Sequence, residues 1–191
     1  YLDLALRFLI PDTAELIAVG GLSGTGKSTV AAGLAPIRGA APGAVILRSD
    51  VIRKRMHGAA PEDALPKEAY TRNVTTQVYD RLASIAATLL EQGQSVIVDA
   101  VYAAPAERDA IESVARRIGA PFRGLWLSAP PSILQARVAD RRGDASDADG
   151  EIIKQQLNYD LGPVRWSLVD ASGSSEVSLR AAVETIGSRD A

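Results

Sequence analysis

The chain contains no cysteine. Structural disulfides, thiolate zinc sites and cysteine nucleophiles are therefore excluded. Histidine occurs once, at His57, which excludes histidine-rich metal sites and argues against a Ser-His-Asp triad. An excess of one charge is lacking too. The formal net charge is −2, so no global basic field can hold a nucleic-acid backbone, although a local basic groove stays open. No apolar run reaches membrane-spanning length and no signal-peptide pattern is visible, so no membrane partner is expected. A reducing cytoplasm is the expected location.

What is present suits one α/β domain. The 191 residues are 47% hydrophobic and 23% charged, an ordinary globular balance. Short apolar runs alternate with longer amphipathic stretches, the pattern of a parallel sheet covered on both faces. Strands are expected at 16–20, 44–48, 95–99, 124–128 and 167–170. Helices are expected at 27–35, 50–56, 67–92, 105–118, 132–142, 150–159 and 176–186. The long one carries Val74, Val78, Leu82, Ile85 and Leu89 at helical spacing. Residues 1–14 read as a helix and linker running in from an upstream domain, and 15–191 as the domain itself. Met56, His57, Trp126 and Trp166 read as packing or loop positions, with Trp126 in the sheet.

Residues 21–28, GLSGTGKS, fit G-x-x-x-x-G-K-[ST] at every fixed position. Glycines let successive N–H groups turn inward as an anion nest. Gly26 permits close backbone approach to phosphates. The helix that follows points its N-terminal N–H groups and positive dipole end at the same place. Lys27 adds a mobile charge for β- and γ-phosphates, and Ser28 offers a hydroxyl to Mg²⁺. An apolar strand leads in and a helix leads out, so nucleotide binding is expected.

Acidic residues stand at the ends of two other strands. Asp99 closes SVIVD and reads either as a Mg²⁺-shell residue or as a cap for the next segment. Asp50 follows LRS; it, or Ser49, reads as a helix N-cap, and Asp50 equally as a general base taking a hydroxyl proton. Arg53 falls on the same helix face as Asp50 and could hold an acidic group of an acceptor. Arg137 and Arg141 share a helix face and read either as cations for a transferring phosphoryl group or as a solvated face. The run DASDADGE at 144–151 lacks calcium-loop spacing, and Asp147 or Asp149 reads as a helix cap. VDASGS at 169–174 reads either as an ordinary turn or as a turn lying over adenine, through Ser172 and Gly173. The segments 58–66 and 143–149 read as substrate and lid loops.

These segments together resemble the small-molecule and polynucleotide kinase branch of P-loop proteins. That branch includes phage-type polynucleotide 5′-kinase, zeta toxin, chloramphenicol phosphotransferase and gluconate kinase. The chain looks most like P-loop kinases that carry an AAA-family ATPase label and are often fused behind an aminoglycoside-phosphotransferase-like domain. No arginine of the second region of homology and no hexamer signature is found, so the AAA label reads as a misnomer. GLSGTGKS, LRSDVIRK, SVIVDAVY, ARVADRRGDASDAD and VDASG line up in order from Glu15 onward.

The resemblance implies a three-layer αβα P-loop fold, a five-stranded parallel sheet of order 2-3-1-4-5 and a helical lid. It implies nucleotide binding by Gly21, Leu22, Ser23, Gly24, Thr25, Gly26, Lys27, Ser28 and Thr29. Asp50 resembles the branch's catalytic aspartate, Arg53 its substrate-side arginine and Arg137 its lid arginine, with Arg141 beside it. Ser28, Asp50 and Asp99 form the implied metal set. The implied reaction is γ-phosphoryl transfer from ATP, with Mg²⁺, to a hydroxyl of a small molecule or a nucleic-acid end, the latter not favoured. GTP is the alternative donor, and the absence of the guanine-specific N-K-x-D motif argues against a GTPase switch. The rival readings are a plain nucleotide hydrolase and a nucleotide-gated module regulating an attached domain.

Overall fold

Five short strands, β1 Leu16–Gly20, β2 Val45–Arg48, β3 Val96–Asp99, β4 Phe122–Ser128 and β5 Ser167–Asp170, form the sheet. All pairings are parallel and the order is β2-β3-β1-β4-β5, as expected. The computed structural model describes residues 13–139 and 150–187. Within them the helices are α1 Lys27–Leu34, α2 Ser49–Met56, α3 Arg72–Glu91, α4 Pro105–Ile118, α5 Pro131–Ala139, α6 Gly150–Gln156 and α7 Ser175–Ile186. None is long and apolar enough to cross a membrane.

Alternation along the strands builds the three layers. Leu16, Ala18, Val96 and Val98 face one core, which α3 closes with Val78, Leu82 and Leu90 and α4 with Ile111 and Val114. Ile17, Val19 and Ile97 face the other, closed by Val30 and Leu34 of α1 and Ala182 and Ile186 of α7. Register aligns the strand ends: Val19 pairs with Asp99 and Arg48 pairs with Asp99. The loop after β1, the end of β3 and the start of α2 therefore emerge at one edge of the sheet, where open α/β folds bind ligands.

The helix expected over 67–92 is broken. A 3-10 turn covers Lys67–Tyr70, and Thr71, at φ −61 and ψ 156, leaves the helix and caps α3 by accepting the Val74 N–H at 3.5 Å. A hydroxyl that satisfies an orphan N–H outweighs continued helical pairing there. Tyr70 and Arg72 flank the break and reach the ligand side of the domain as a result. β4 begins two residues before the expected start, at Phe122. The helix expected over 150–159 ends at Gln156. The end of the helix expected over 132–142, and the helical reading of residues 1–9, lie outside the described residues.

Trp126 and Trp166 are buried, whereas Met56 is 42% exposed and His57 lies just past α2. Trp166 lies so close to the sheet that a Cβ on Gly124 would stand 2.4 Å from its ring. Gly124→Ala should thus cost about 1–3 kcal/mol through overpacking, seen as a lower midpoint in thermal unfolding. An unchanged midpoint would mean that the ring is not seated on the glycine.

Candidate active site

The loop between β1 and α1 is shaped by its glycines. Gly21 has φ +137, and a Cβ there would lie 2.5 Å from the Leu127 carbonyl oxygen. Gly26 has φ +84, in the left-handed region, and forms the N-cap of α1. Within the loop, the Thr25 hydroxyl donates to Leu22 O at 2.8 Å and Lys27 Nζ donates to Leu22 O at 3.1 Å. Leu22 packs against Leu134, Val138 and Ile153, which ties the loop to α5 and α6. Gln156, in the last turn of α6, accepts the Ser23 N–H at 2.8 Å and is buried.

Asp99 is buried at the end of β3 and accepts from Ser28 Oγ at 2.6 Å. Arg48 Nε stands 3.4 Å from the same carboxylate oxygen. Asp50 lies in the first turn of α2, close enough to Asp99 for their charges to interact. Burial chiefly raises the Asp50 pKa; the Asp99 charge adds to the rise, while Lys27, Arg48 and Arg53 oppose it. The side-chain N-cap expected of Ser49 or Asp50 does not form, because Arg48 holds that position and makes no side-chain capping bond. Among the described residues no group of three or more histidine, cysteine, aspartate and glutamate side chains could cage a metal. A serine hydroxyl beside two carboxylates is instead a hard oxygen set of the kind Mg²⁺ uses, with phosphate and water oxygens completing its shell.

Arg53 is buried on α2. Its Nη1 donates to Ala69 O at 2.7 Å, its guanidinium lies 4.9 Å from the Tyr70 ring centroid, and its Nε has no hydrogen-bond partner. Arg137, on α5, donates to Ala171 O at 2.7 Å, to Gly24 O at 3.5 Å and to Gly173 O. It thus bridges the phosphate loop and the turn after β5. In that turn the Ser172 N–H donates to Asp170 Oδ1 at 2.9 Å. Arg141 lies outside the described residues, as do Asp147 and Asp149.

One cleft of about 930 Å³ joins Ser23, Lys27, Ser28, Thr29, Asp50, Arg53 and Asp99. Several further wall residues were not read from sequence: Tyr70 from the 3-10 turn, Arg72 and Tyr79 from α3, Glu107 from α4, and Tyr159 beyond α6. Tyr79 is adjacent to the core residue Val78, and Glu107 sits where a helix start accommodates an acid, so neither stood out. Arg108, buried, donates to Tyr102 O at 2.7 Å and Leu161 O at 2.5 Å, and so joins the segment after β3 to the segment after α6.

A glycine loop between a parallel strand and its helix, with a strand-end aspartate bonded to the loop serine, defines a P-loop α/β domain. The chain belongs to the AAA domain family, whose model matches residues 16–160. An uncharacterised protein of Mycobacterium tuberculosis is 30% identical over 187 residues, covering 94% of this chain and 36% of its own length. The chain thus spans about a third of the relatives it matches. Among solved structures, a sugar kinase from Janibacter sp. aligns with a TM-score of 0.69 at 20% identity, covering 92% of this chain and 96% of its own. The Mycobacterium tuberculosis APS kinase in complex with AMPPNP and APS aligns with a TM-score of 0.64 at 18% identity, covering 92% and 99%. The fold is therefore that of P-loop kinases.

Proposed function

We propose that the chain is an ATP- and Mg²⁺-dependent kinase that transfers the γ-phosphoryl group to a hydroxyl. The observation that carries this reading is Asp50. It shares one cleft with the phosphate loop, and burial raises its pKa, which makes it a better base than an ordinary aspartate. A plain hydrolase has less use for the walls that extend the cleft past Asp50.

The acceptor oxygen attacks the γ-phosphorus and forms a new O–P bond. The bond from that phosphorus to the β–γ bridging oxygen breaks, ADP leaves, and Asp50 takes the hydroxyl proton. Gly21, Leu22, Ser23, Gly24, Thr25, Gly26 and Thr29 cradle the phosphates, and Lys27 offsets the charge on them. Ser28 and Asp99 are the residues that would hold Mg²⁺, which when bound would neutralise charge on the phosphates, and Asp50, the third member of the implied metal set, is left free as the base. Arg137 fixes the phosphate loop against the Ser172–Gly173 turn, the proposed edge for the base. Arg53 faces the acceptor. ATP is taken as the donor, with GTP as the alternative.

Asp50 acts as a base only when ionised, so activity should fall on the acid side as Asp50 is protonated. The acid limb of kcat/KM for acceptor-dependent ADP release should disappear in Asp50→Asn, whose residual rate no longer depends on that proton. The same limb persisting in Asp50→Asn contradicts the role.

A further inference from the structure

The cleft continues past Asp50 into a wall that phosphoryl transfer itself does not require. Glu107, half-buried in the first turn of α4, accepts the Ala104 N–H through Oε2 at 3.1 Å. Burial raises its pKa against the backbone N–H groups of Ala104 and Ala103 and the Arg108 charge. Beside it stands Tyr79, whose hydroxyl oxygen accepts the N–H of Tyr102 at 3.0 Å. Tyr102 is placed to make this bond by a φ of +53, uncommon outside glycine, and by its buried ring packed 5.1 Å from Trp166. With that lone pair used, the Tyr79 hydroxyl has its proton to donate. Burial, then the Glu107 charge, hold the proton on it across the working pH range. Arg53 adds a buried Nε without a partner, as noted above.

A hydroxyl group both donates and accepts, and this wall offers both kinds of partner at fixed positions. Tyr70 and Tyr159 add partly exposed rings, 37% and 41%, suited to the C–H face of a small ring. The charges are mixed: Asp50, Glu107 and Asp160 line this end together with Arg53 and Arg72. A polyanionic nucleic-acid end would meet carboxylates interspersed with the arginines rather than a uniformly basic groove. We infer that Glu107 and Tyr79 form the acceptor-reading subsite, and that it selects a polyhydroxylated small molecule of sugar size, uncharged or carrying an amine.

The inference rests on the kinase reading, and one experiment separates their failures. The chain is incubated with γ-labelled ATP, Mg²⁺ and a panel of hexoses, hexosamines, hexonates and 5′-hydroxyl oligonucleotides. Label should enter a hexose or hexosamine. Glu107→Gln keeps an oxygen for the Ala104 N–H, and Tyr79→Phe keeps the ring. Each should raise the acceptor KM by roughly tenfold or more, because a buried partner is left unmatched, with little change in the ATP KM. Preferred labelling of a hexonate or an oligonucleotide overturns the subsite and leaves the kinase standing. Labelling of no acceptor overturns both. If Glu107→Gln lowers the unfolding midpoint while the acceptor KM stays put, Glu107 is a helix cap alone and the subsite is wrong.

Discussion

Alanine at Lys27 should reduce ATP turnover by about a thousandfold, the scale seen when a positioned charge-stabilising donor is removed. The Lys27 ammonium is held in the loop by Leu22 O at 3.1 Å, on the first turn of α1. Among the described residues, the cations nearest the loop are held by other groups, with Arg48 Nε 3.4 Å from the Asp99 carboxylate. Arg53 is committed to Ala69 O and the Tyr70 ring, Arg137 to Ala171 and Gly173, and the Lys54 ammonium donates to Pro61 O at 2.9 Å. Lys27 contributes nothing to either apolar core, so the unfolding midpoint should hardly move. ADP release and thermal unfolding measured on the same sample check both statements. Near-normal turnover in the alanine variant would remove the loop from the chemistry.

Asparagine at Asp50 should keep ATP binding and lose about 10²–10⁴ in the rate of transfer, the worth of a positioned general base. The same change should stabilise the fold at neutral pH. The folded-state pKa of Asp50 is raised, so folding disfavours its charged form. Its ionisation therefore destabilises the protein above that pKa, less so between the folded and unfolded values, and not at all below both. The Asp50→Asn midpoint should exceed the wild-type midpoint at pH 7, and the gap should close as pH falls toward 4. For a domain of this size each kcal/mol corresponds to about 2–4 °C. Transfer at the normal rate by this variant means that Asp50 is not the base.

The phosphate loop could be read from sequence because its chemistry is local. Gly21, Gly26, Lys27 and Ser28 act through backbone angles and a helix start that a short stretch of chain specifies alone. Strand positions were readable for a similar reason, since a buried parallel strand is a short continuous apolar run. The sheet order followed from the resemblance, and the register then brought Asp99 to Ser28 at 2.6 Å.

What stayed hidden depends on contacts distant in sequence. Tyr79 lies beside the stripe of Val78 and Leu82, and its role requires the N–H of Tyr102, 23 residues away. Gln156 binds Ser23 across 133 residues, which no local pattern reveals. Thr71 interrupts a continuous helical periodicity because its hydroxyl competes for the Val74 N–H. From spacing, Arg137 read either as a cation for the phosphoryl group or as part of a solvated face. The carbonyls that hold it, Ala171 and Gly173, come from a turn whose meeting with α5 is a property of the whole sheet.

The fate of the γ-phosphate tests the proposed kinase most directly. With γ-labelled ATP and Mg²⁺, an accepted alcohol should speed ADP release, and the label should leave ATP for that alcohol with little free phosphate formed. Label appearing only as free phosphate, at a rate that no added alcohol changes, would make the chain a hydrolase and contradict the proposal.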